Sequence, residues 1–384
     1  MIVTRLKLTN WRNFRELDLT LGTRAYVIGA NASGKSNLLD VFRFLRTVAK
    51  PAGGGLQEAL RERGGMSKLR SLHARRDPGV SIFVEVAESL DEDCGRWSYE
   101  LSFKSEGKGA QRVLITRERV EKDGKEELHR PNKDDKADDV RLTQTYLEQI
   151  NNNADFRLLA DFFSTTTYLH LVPQLLKFSE QISGRIIEQD PFGQGLLQRI
   201  ATTSQKTQAA RLKRIGEALK IAVPQFSELR FIKDEISGAP HLEANFQHWR
   251  GRGAWQREEQ FSDGTLRLIG LLWALQEGDG LLLLEEPELS LNDAIVEHIP
   301  LMIDRVLRLR KKGTRQVILT THSDNLIGAV ADPDEVILLE PGENGTTARK
   351  ANEAESQSMK HGLNAAEVLL PKTRPEKIGQ MGLF

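Results

Sequence analysis

Eight residues near the N-terminus, Gly29-Ala30-Asn31-Ala32-Ser33-Gly34-Lys35-Ser36, constrain this chain more than any other stretch. They fit the spacing G-x-x-x-x-G-K-[ST] of a phosphate-binding loop. The spacing has a physical reason. Glycines let backbone N–H groups close around the α- and β-phosphates of a nucleotide. Lys35 is a mobile cation that reaches the β- and γ-phosphates, and the Ser36 hydroxyl is an oxygen ligand suited to Mg²⁺. Residues 24–28 read as a buried strand before the loop, and 37–45, opened by Asn37, as a helix after it. The loop then sits at a helix N-terminus, where main-chain donors and the macrodipole favour anions. Asn31, Ala32, Ser33, Gly34, Lys35, Ser36 and Asn37 are therefore the candidate nucleotide contacts. A chance match in a turn is the alternative, and the strand and helix on either side weigh against it.

The 384 residues are enough for two or three domains or lobes around a sizeable core. Lys plus Arg and Asp plus Glu stand at 54 each, so net charge gives no argument for nucleic acid, though it leaves room for a local basic groove. Cys94 is the one cysteine. It rules out an internal disulfide, fits a reducing compartment, and reads as a lone surface or packed thiol. Residues 2–8 alternate as a strand does, unlike a signal peptide. No apolar run approaches the roughly 20 residues of a membrane span. The expectation is a soluble cytoplasmic protein with no membrane partner.

Strands are expected over 2–9 and 16–21, and near 80–87, 96–104 and 112–121, the last three alternating as in an antiparallel sheet. Pro51-Ala52-Gly53-Gly54-Gly55 ends the loop helix. Arg61, Arg63, Lys68, Arg70, Arg75 and Arg76 form a basic cluster, a solvated helix face on one reading and a DNA contact on another. Residues 122–139, nearly all polar, predict a mobile loop. From 141 the period becomes helical, around 142–151, 155–164, 194–202 and 205–221, with Leu212, Ile215 and Leu219 at helical spacing. Strands resume near 226–234 and 241–247. A helix opens at Ser262-Asp263-Gly264-Thr265, with Leu266, Ile269, Leu272 and Trp273 on its apolar side. Residues 281–284 form a buried strand, 292–311 a helix, and 316–320 and 335–339 further strands. This alternation predicts an α/β fold with a largely parallel sheet and helices packed on it. The expected division is 1–140 with the phosphate loop and antiparallel strands, 141–224 as a helical insertion, and 225–384 as the rest of the head.

The four leucines of 281–284 run into Glu285-Glu286-Pro287-Glu288. Such a strand holds its carboxylates at the sheet edge where a phosphate loop also opens. Glu285 is the candidate Mg²⁺ ligand, through water, and Glu286 the candidate general base that orients the attacking water. Taken alone, solvated acids at a strand end explain the string equally well. His322 follows the next strand, where it can donate to the γ-phosphate or lock the water and Glu286 in place; a capping or packed histidine is the plainer alternative. Ser262 can cap its helix while Gly264 leaves N–H groups accessible, making a second phosphate-binding helix end. An ordinary N-cap is the alternative. One protomer rarely needs two helix termini for one γ-phosphate, so the arrangement suggests a dimer in which Ser262 and Gly264 of each subunit close on the other's nucleotide.

In this order the motifs resemble the ABC-type ATPase heads of the SMC/RecF/OLD branch. Glu-Glu-Pro-Glu-Leu-Ser-Leu and Ser-Asp-Gly-Thr-Leu-Arg are typical of OLD-like ATPases. The resemblance covers about 1–50 and 225–340. It implies a P-loop NTPase of ABC-ATPase type: a mixed sheet with flanking helices plus an inserted helical lobe, using ATP and Mg²⁺ as an ATP-driven switch. By the same resemblance Arg12, in Asn-Trp-Arg-Asn-Phe, matches the arginine that approaches the nucleotide in SMC-like heads. Ser290-Leu291-Asn292-Asp293 occupies the D-loop, without the usual His-Pro, and no Q-loop glutamine is placed. There is no long heptad run for an SMC-type arm. About 45 residues follow 335–339, too few for the TOPRIM nuclease domain of OLD nucleases. The family points to a homodimer with ATP at its interface, to DNA repair or defence against phage, to DNA as a partner, and to a separate nuclease or toxin effector. The 305–315 stretch is a second candidate DNA contact. Two rivals stand beside this reading. One is a slow-turnover ATP-dependent clamp or sensor of DNA or protein, which an intact Glu286 and His322 disfavour. The other is a transporter ATPase subunit, which the Ser-Asp-Gly-Thr signature and the large helical insertion disfavour.

Overall fold

The computed structural model describes residues 1–74, 77–88, 95–107, 112–178, 192–247, 254–309 and 315–374. Arg75, Arg76, Cys94 and residues 310–314 of the second basic stretch lie outside the described residues. The chain divides into two compact units. The first is Met1–Thr167 with Asp279–Leu283 and Leu307–Phe384; the second is Tyr168–Gly278 with Leu284–Val306. Among the described residues the strands run, in chain order, β1 (Ile2–Trp11), β2 (Phe14–Thr20), β3 (Arg24–Gly29), β4 (Gly79–Ala87), β5 (Arg96–Ser105), β6 (Val113–Lys122), β7 (Lys125–Arg130), β8 (Thr167–Leu169), β9 (Phe226–Lys233), β10 (Pro240–Phe246), β11 (Ala254–Arg257), β12 (Gly280–Glu285), β13 (Arg315–Thr320), β14 (Val336–Gly342) and β15 (Gly345–Arg349).

The first unit carries an antiparallel sheet of order β2-β1-β4-β5-β6-β7. Its strands bury alternate residues, as Val80, Ile82, Val84 and Val86 do on β4, because successive side chains point to opposite faces. A second sheet has the order β15-β14-β3-β13-β12-β8. In it β13 and β14 each pair parallel with β3, and β15 pairs antiparallel with β14. Every residue of β13 is buried, the mark of a strand covered on both faces. The chain passes to the second unit within β8, after Thr167, and within β12, after Leu283. Gln316, on β13, is fully buried. Its Nε2 donates to Val3 O at 2.8 Å and Gly22 O at 2.7 Å, and its Oε1 accepts from Val3 N at 2.9 Å. A buried amide satisfied on both ends ties β13 to the start of β1.

The loop helix runs Lys35–Ala49. Trp11 and Phe44 meet edge to face at 5.2 Å, and Phe44 stacks on Phe103 at 5.7 Å. These aromatic contacts pin the helix to the antiparallel sheet.

Three sequence expectations need correction. Residues 122–139 form β7 and a helix, Lys133–Ala137, where a mobile loop was expected. The cause is Arg130, fully buried, which donates to Glu118 at 2.9 Å and Asp135 at 2.8 Å. Polar composition here marks an internal ionic network. Residues 144–151 hold no helix. The Glu118 carboxylate takes the N–H groups of Tyr146 (2.9 Å) and Leu147 (3.2 Å), donors a helix would have used. The helix expected over 292–311 is two, Asp293–Val296 and Ile299–Arg308. Pro300 has no N–H to give to the carbonyl four residues earlier, so the ladder breaks there.

The second unit holds the helices Leu196–Thr202, Gln205–Ala222 and Asp263–Gln276 and the antiparallel sheet β11-β10-β9. Leu212, Ile215 and Leu219 are the buried side of Gln205–Ala222. Asp263–Gln276 is buried nearly all round, including Leu266, Ile269, Leu272 and Trp273. No helix among the described residues is long and apolar enough to cross a membrane.

Candidate nucleotide site

The first unit holds the phosphate loop. Gly34 caps the helix Lys35–Ala49 with φ 100°, in the region that favours glycine. A β-carbon on it would overlap the Asn13 amide. Gly29 ends β3, and a β-carbon there would stand 2.5 Å from Ser33 Oγ. No side chain caps the helix, so its positive end is left to the loop's main chain. Lys35 is buried, its Nζ donating to Gly29 O at 3.1 Å and Ala30 O at 3.3 Å. Asn31, Ala32 and Ser36 are exposed. Ser33 is fully buried, and its hydroxyl has no hydrogen-bond partner. A glycine cradle, a buried ammonium and an orphan hydroxyl fit a triphosphate. The hydroxyl of Ser36 is a hard oxygen donor of the kind Mg²⁺ takes.

Asn13 was not foreseen as a site residue, and it holds the loop. Its Nδ2 donates to Ser33 O and Thr346 Oγ1, both at 2.7 Å, and its Oδ1 accepts from Asn37 Nδ2 at 2.8 Å. Trp11 Nε1 donates to Asn37 O at 2.9 Å. Asn37 thus joins loop and helix to the β1–β2 turn. Arg12, in that turn with φ 49°, donates from Nη2 to Asp40 Oδ2 at 2.6 Å, and Arg63 Nη2 reaches Asp40 Oδ1 at 2.9 Å. Burial pushes the Asp40 carboxyl up, but Arg63 and Arg12 outweigh it and hold it below the usual range. The structure therefore places Arg12 on Asp40, in the helix that the loop opens.

His322 leaves the same sheet edge as the loop. Thr320 on β13 lies opposite Val27 on β3, and Thr321 N donates to Val27 O at 3.2 Å. Gly29 and His322 each stand two residues beyond that pair. His322 is exposed. Ser323, not His322, caps the following helix by accepting from Leu326 N at 3.2 Å.

The second unit holds the carboxylates and the second helix end. Leu281–Leu284 are fully buried and Glu285 and Glu286 half-buried. Glu286 has φ 45°, a strained conformation for a side chain other than glycine, costing on the order of 1–3 kcal/mol. Ser262 caps the helix Asp263–Gln276, its Oγ accepting from Thr265 N at 3.1 Å. Asp263 is held by Gln174 Nε2 at 2.7 Å and Lys177 Nζ at 2.6 Å. The Lys177 hydrogen bond draws its carboxyl below the usual range. A β-carbon on Gly264 would come 2.5 Å from Ser290 O. Three further residues gather here: Tyr168 and His170, which no motif announces, and Arg267, the arginine of Ser-Asp-Gly-Thr-Leu-Arg. Tyr168 and His170 both reach Glu285. Arg267 is pulled below its ordinary pKa by burial, against the attraction of Asp263, Glu286 and Glu288, and its Nε is buried without a hydrogen-bond partner.

Among the described residues of the basic cluster, two arginines are paired with carboxylates and a third with a carbonyl. Arg61 pairs with Glu58 at 2.6 Å, Arg63 with Asp40, and Arg70 Nη1 donates to Asp77 O at 3.0 Å. Arg12, Arg43, Arg61, Arg63 and Lys68, with Asp40 and Glu62, line a cleft of about 520 Å³.

Comparison with known proteins agrees with this architecture. An SMC head bound to the C-winged helix domain of ScpA is 15% identical with a TM-score of 0.59, over 93% of this chain and 100% of that one. An SMC head with an extended coiled coil from Pyrococcus furiosus, bound to the C-terminal domain of ScpA, is 13% identical with a TM-score of 0.52, over 94% and 98%. One with a coiled coil and joint from Pyrococcus yayanosii is 12% identical with a TM-score of 0.52, over 94% and 99%. At these identities the likeness shows the fold. The DNA replication and repair protein RecF of Roseiflexus castenholzii is 33% identical over 87 residues, which are 22% of this chain and 20% of that protein. The match thus spans about a fifth of RecF. Residues 25–328 match the family described as "AAA domain, putative AbiEii toxin, Type IV TA system". The chain belongs to that family, and its fold is that of an ABC-type ATPase head of the SMC/RecF branch.

Proposed function

We propose that this chain is a Mg²⁺-dependent ATPase whose two copies close around two ATP molecules and reopen on hydrolysis. The observation that carries the proposal is the phosphate loop: Lys35 buried against the carbonyls of Gly29 and Ala30, beside the orphan hydroxyl of Ser33. In this reading Lys35 stabilises charge on the β- and γ-phosphates. Ser36 and Glu285 hold Mg²⁺, which neutralises phosphate charge when bound. Glu286 orients the attacking water and accepts its proton. His322 donates to the γ-phosphate. Ser262 and Gly264, at the end of a capped 14-residue helix, complete the partner copy's site.

The match to part of RecF and the family's name support a role in DNA transactions or defence, with DNA and a separate nuclease or toxin effector as partners. The cleft lined by Arg12, Arg43, Arg61, Arg63 and Lys68 is the candidate DNA contact. DNA affinity there would fall steeply with salt, because phosphate contacts release counterions.

The test is mass in solution for wild type and Glu286→Gln, with and without ATP and Mg²⁺, alongside phosphate release. An ATP-driven dimer that the variant retains, with phosphate released by wild type alone, supports the switch. Hydrolysis by a wild-type monomer removes Ser262 and Gly264 from a partner's site. A trapped variant dimer that keeps full biological activity favours the clamp.

A further inference from the structure

Tyr168 lies on β8 and His170 one residue beyond its end. Two residues apart in an extended segment, their side chains leave the same face. Both end on one residue. The Tyr168 hydroxyl donates to Glu285 Oε2, and His170 Nδ1 lies 3.2 Å from Glu285 O. A carbonyl only accepts, so Nδ1 carries the ring proton. Tyr168 is 9% exposed, so little water competes for its hydroxyl. A donor to a carboxylate forms a charge-assisted bond, about twice as strong as one between neutral groups. Held at one carboxylate oxygen and at its main chain, Glu285 is gripped at both ends. The residue that follows is Glu286, whose φ of 45° needs a neighbourhood that fixes it.

We propose that Tyr168 is a positioning residue for the metal-binding carboxylate: it sets the plane of Glu285, with His170 holding the same residue's main chain, so that Mg²⁺ meets a preorganised ligand. This rests on the reading of Glu285 as the Mg²⁺ carboxylate. Loss of a partner that orients a metal ligand costs about 10–100-fold in metal affinity. A hydroxyl that only packs the fold predicts something different, a loss that is the same whatever stands at position 285.

The test uses the full chain as wild type, Tyr168→Phe, Glu285→Gln and the double variant. The readout is the Mg²⁺ concentration that half-saturates binding of a fluorescent ATP analogue. Mn²⁺ binding by electron paramagnetic resonance serves as a second readout free of turnover. Phenylalanine keeps the ring and its packing. Tyr168→Phe is expected to raise the half-saturating Mg²⁺ about tenfold, to leave the KM for ATP unchanged at saturating Mg²⁺, and to add nothing in the Glu285→Gln background. An unchanged Mg²⁺ requirement, or the same added loss in that background, overturns the proposal alone. A Glu285→Gln variant with the wild-type Mg²⁺ requirement, or wild-type binding indifferent to Mg²⁺, overturns the Glu285 assignment and this proposal with it.

Discussion

Gly264 lies against the main-chain oxygen of Ser290, so close that a β-carbon on it would stand 2.5 Å from that atom. The second residue of the capped helix and the loop after the carboxylates therefore pack through bare backbone. Gly264→Ala must push one of them aside. The expected cost is about 1–3 kcal/mol of stability, read by urea unfolding, together with loss of the ATP-driven dimer. A variant that dimerises normally would show that this contact does not shape the helix end.

Asn13→Ala removes three hydrogen bonds at once, to Ser33, Thr346 and Asn37. The loop keeps its residues and loses its brace. We expect ATP binding to weaken about tenfold, which is roughly 1.4 kcal/mol, with the Mg²⁺ requirement unaltered. Calorimetric titration with a nonhydrolysable ATP analogue decides it; unchanged affinity would mean that the loop holds its own shape.

Arg130→Met leaves Glu118 buried without its cation and Asp135 with Arg141 at 3.6 Å in place of Arg130 at 2.8 Å. Burial already holds the Glu118 carboxyl above its ordinary value with Arg130 beside it. Breaking one side of such a cluster costs about 3–5 kcal/mol. Equilibrium unfolding at neutral pH should show that loss, and a variant as stable as wild type would contradict the network described here.

Glu355 accepts from Arg349 at 2.7 Å and from Lys372 at 2.6 Å. The Arg349 hydrogen bond is the largest pull that takes its carboxyl from 4.5 to about 2. The folded value lies below the unfolded one, so the unfolded chain binds more protons in between. The stability this group contributes is present above about pH 4.5 and is lost as the pH falls towards 2. Thermal midpoints of Glu355→Gln should be lower than wild type near neutrality and should fall less steeply through that window. Parallel curves would assign the acid sensitivity to other carboxylates.

Much of the architecture was legible in the sequence because it depends on local patterns. Alternation marked β4, β5 and β6, helical spacing marked Leu212, Ile215 and Leu219, and Ser262 sat where a cap belongs. Apart from the helix that Pro300 divides, the failures had one cause. Arg130, Glu118 and the donors of Tyr146 and Leu147 interact across stretches of chain that look like solvated loop when read residue by residue. The same holds at the site. The loop and the carboxylates announce themselves by spacing, whereas nothing local says that Asn13 braces Ser33 or that Tyr168 meets a carboxylate 117 residues later.

The segment from Tyr168 to Lys177 touches Glu285 at one end and Asp263 at the other. Motifs that look separate on paper are thus fastened to one short piece of chain. Their histories are then tied as well. A descendant that replaces Asp263 with a neutral residue strands the charge of Lys177, and one that loses Lys177 takes from Asp263 its ion pair at 2.6 Å, leaving the Gln174 hydrogen bond. Positions 177 and 263 should therefore change together across relatives, in a way that neither motif would reveal if followed alone.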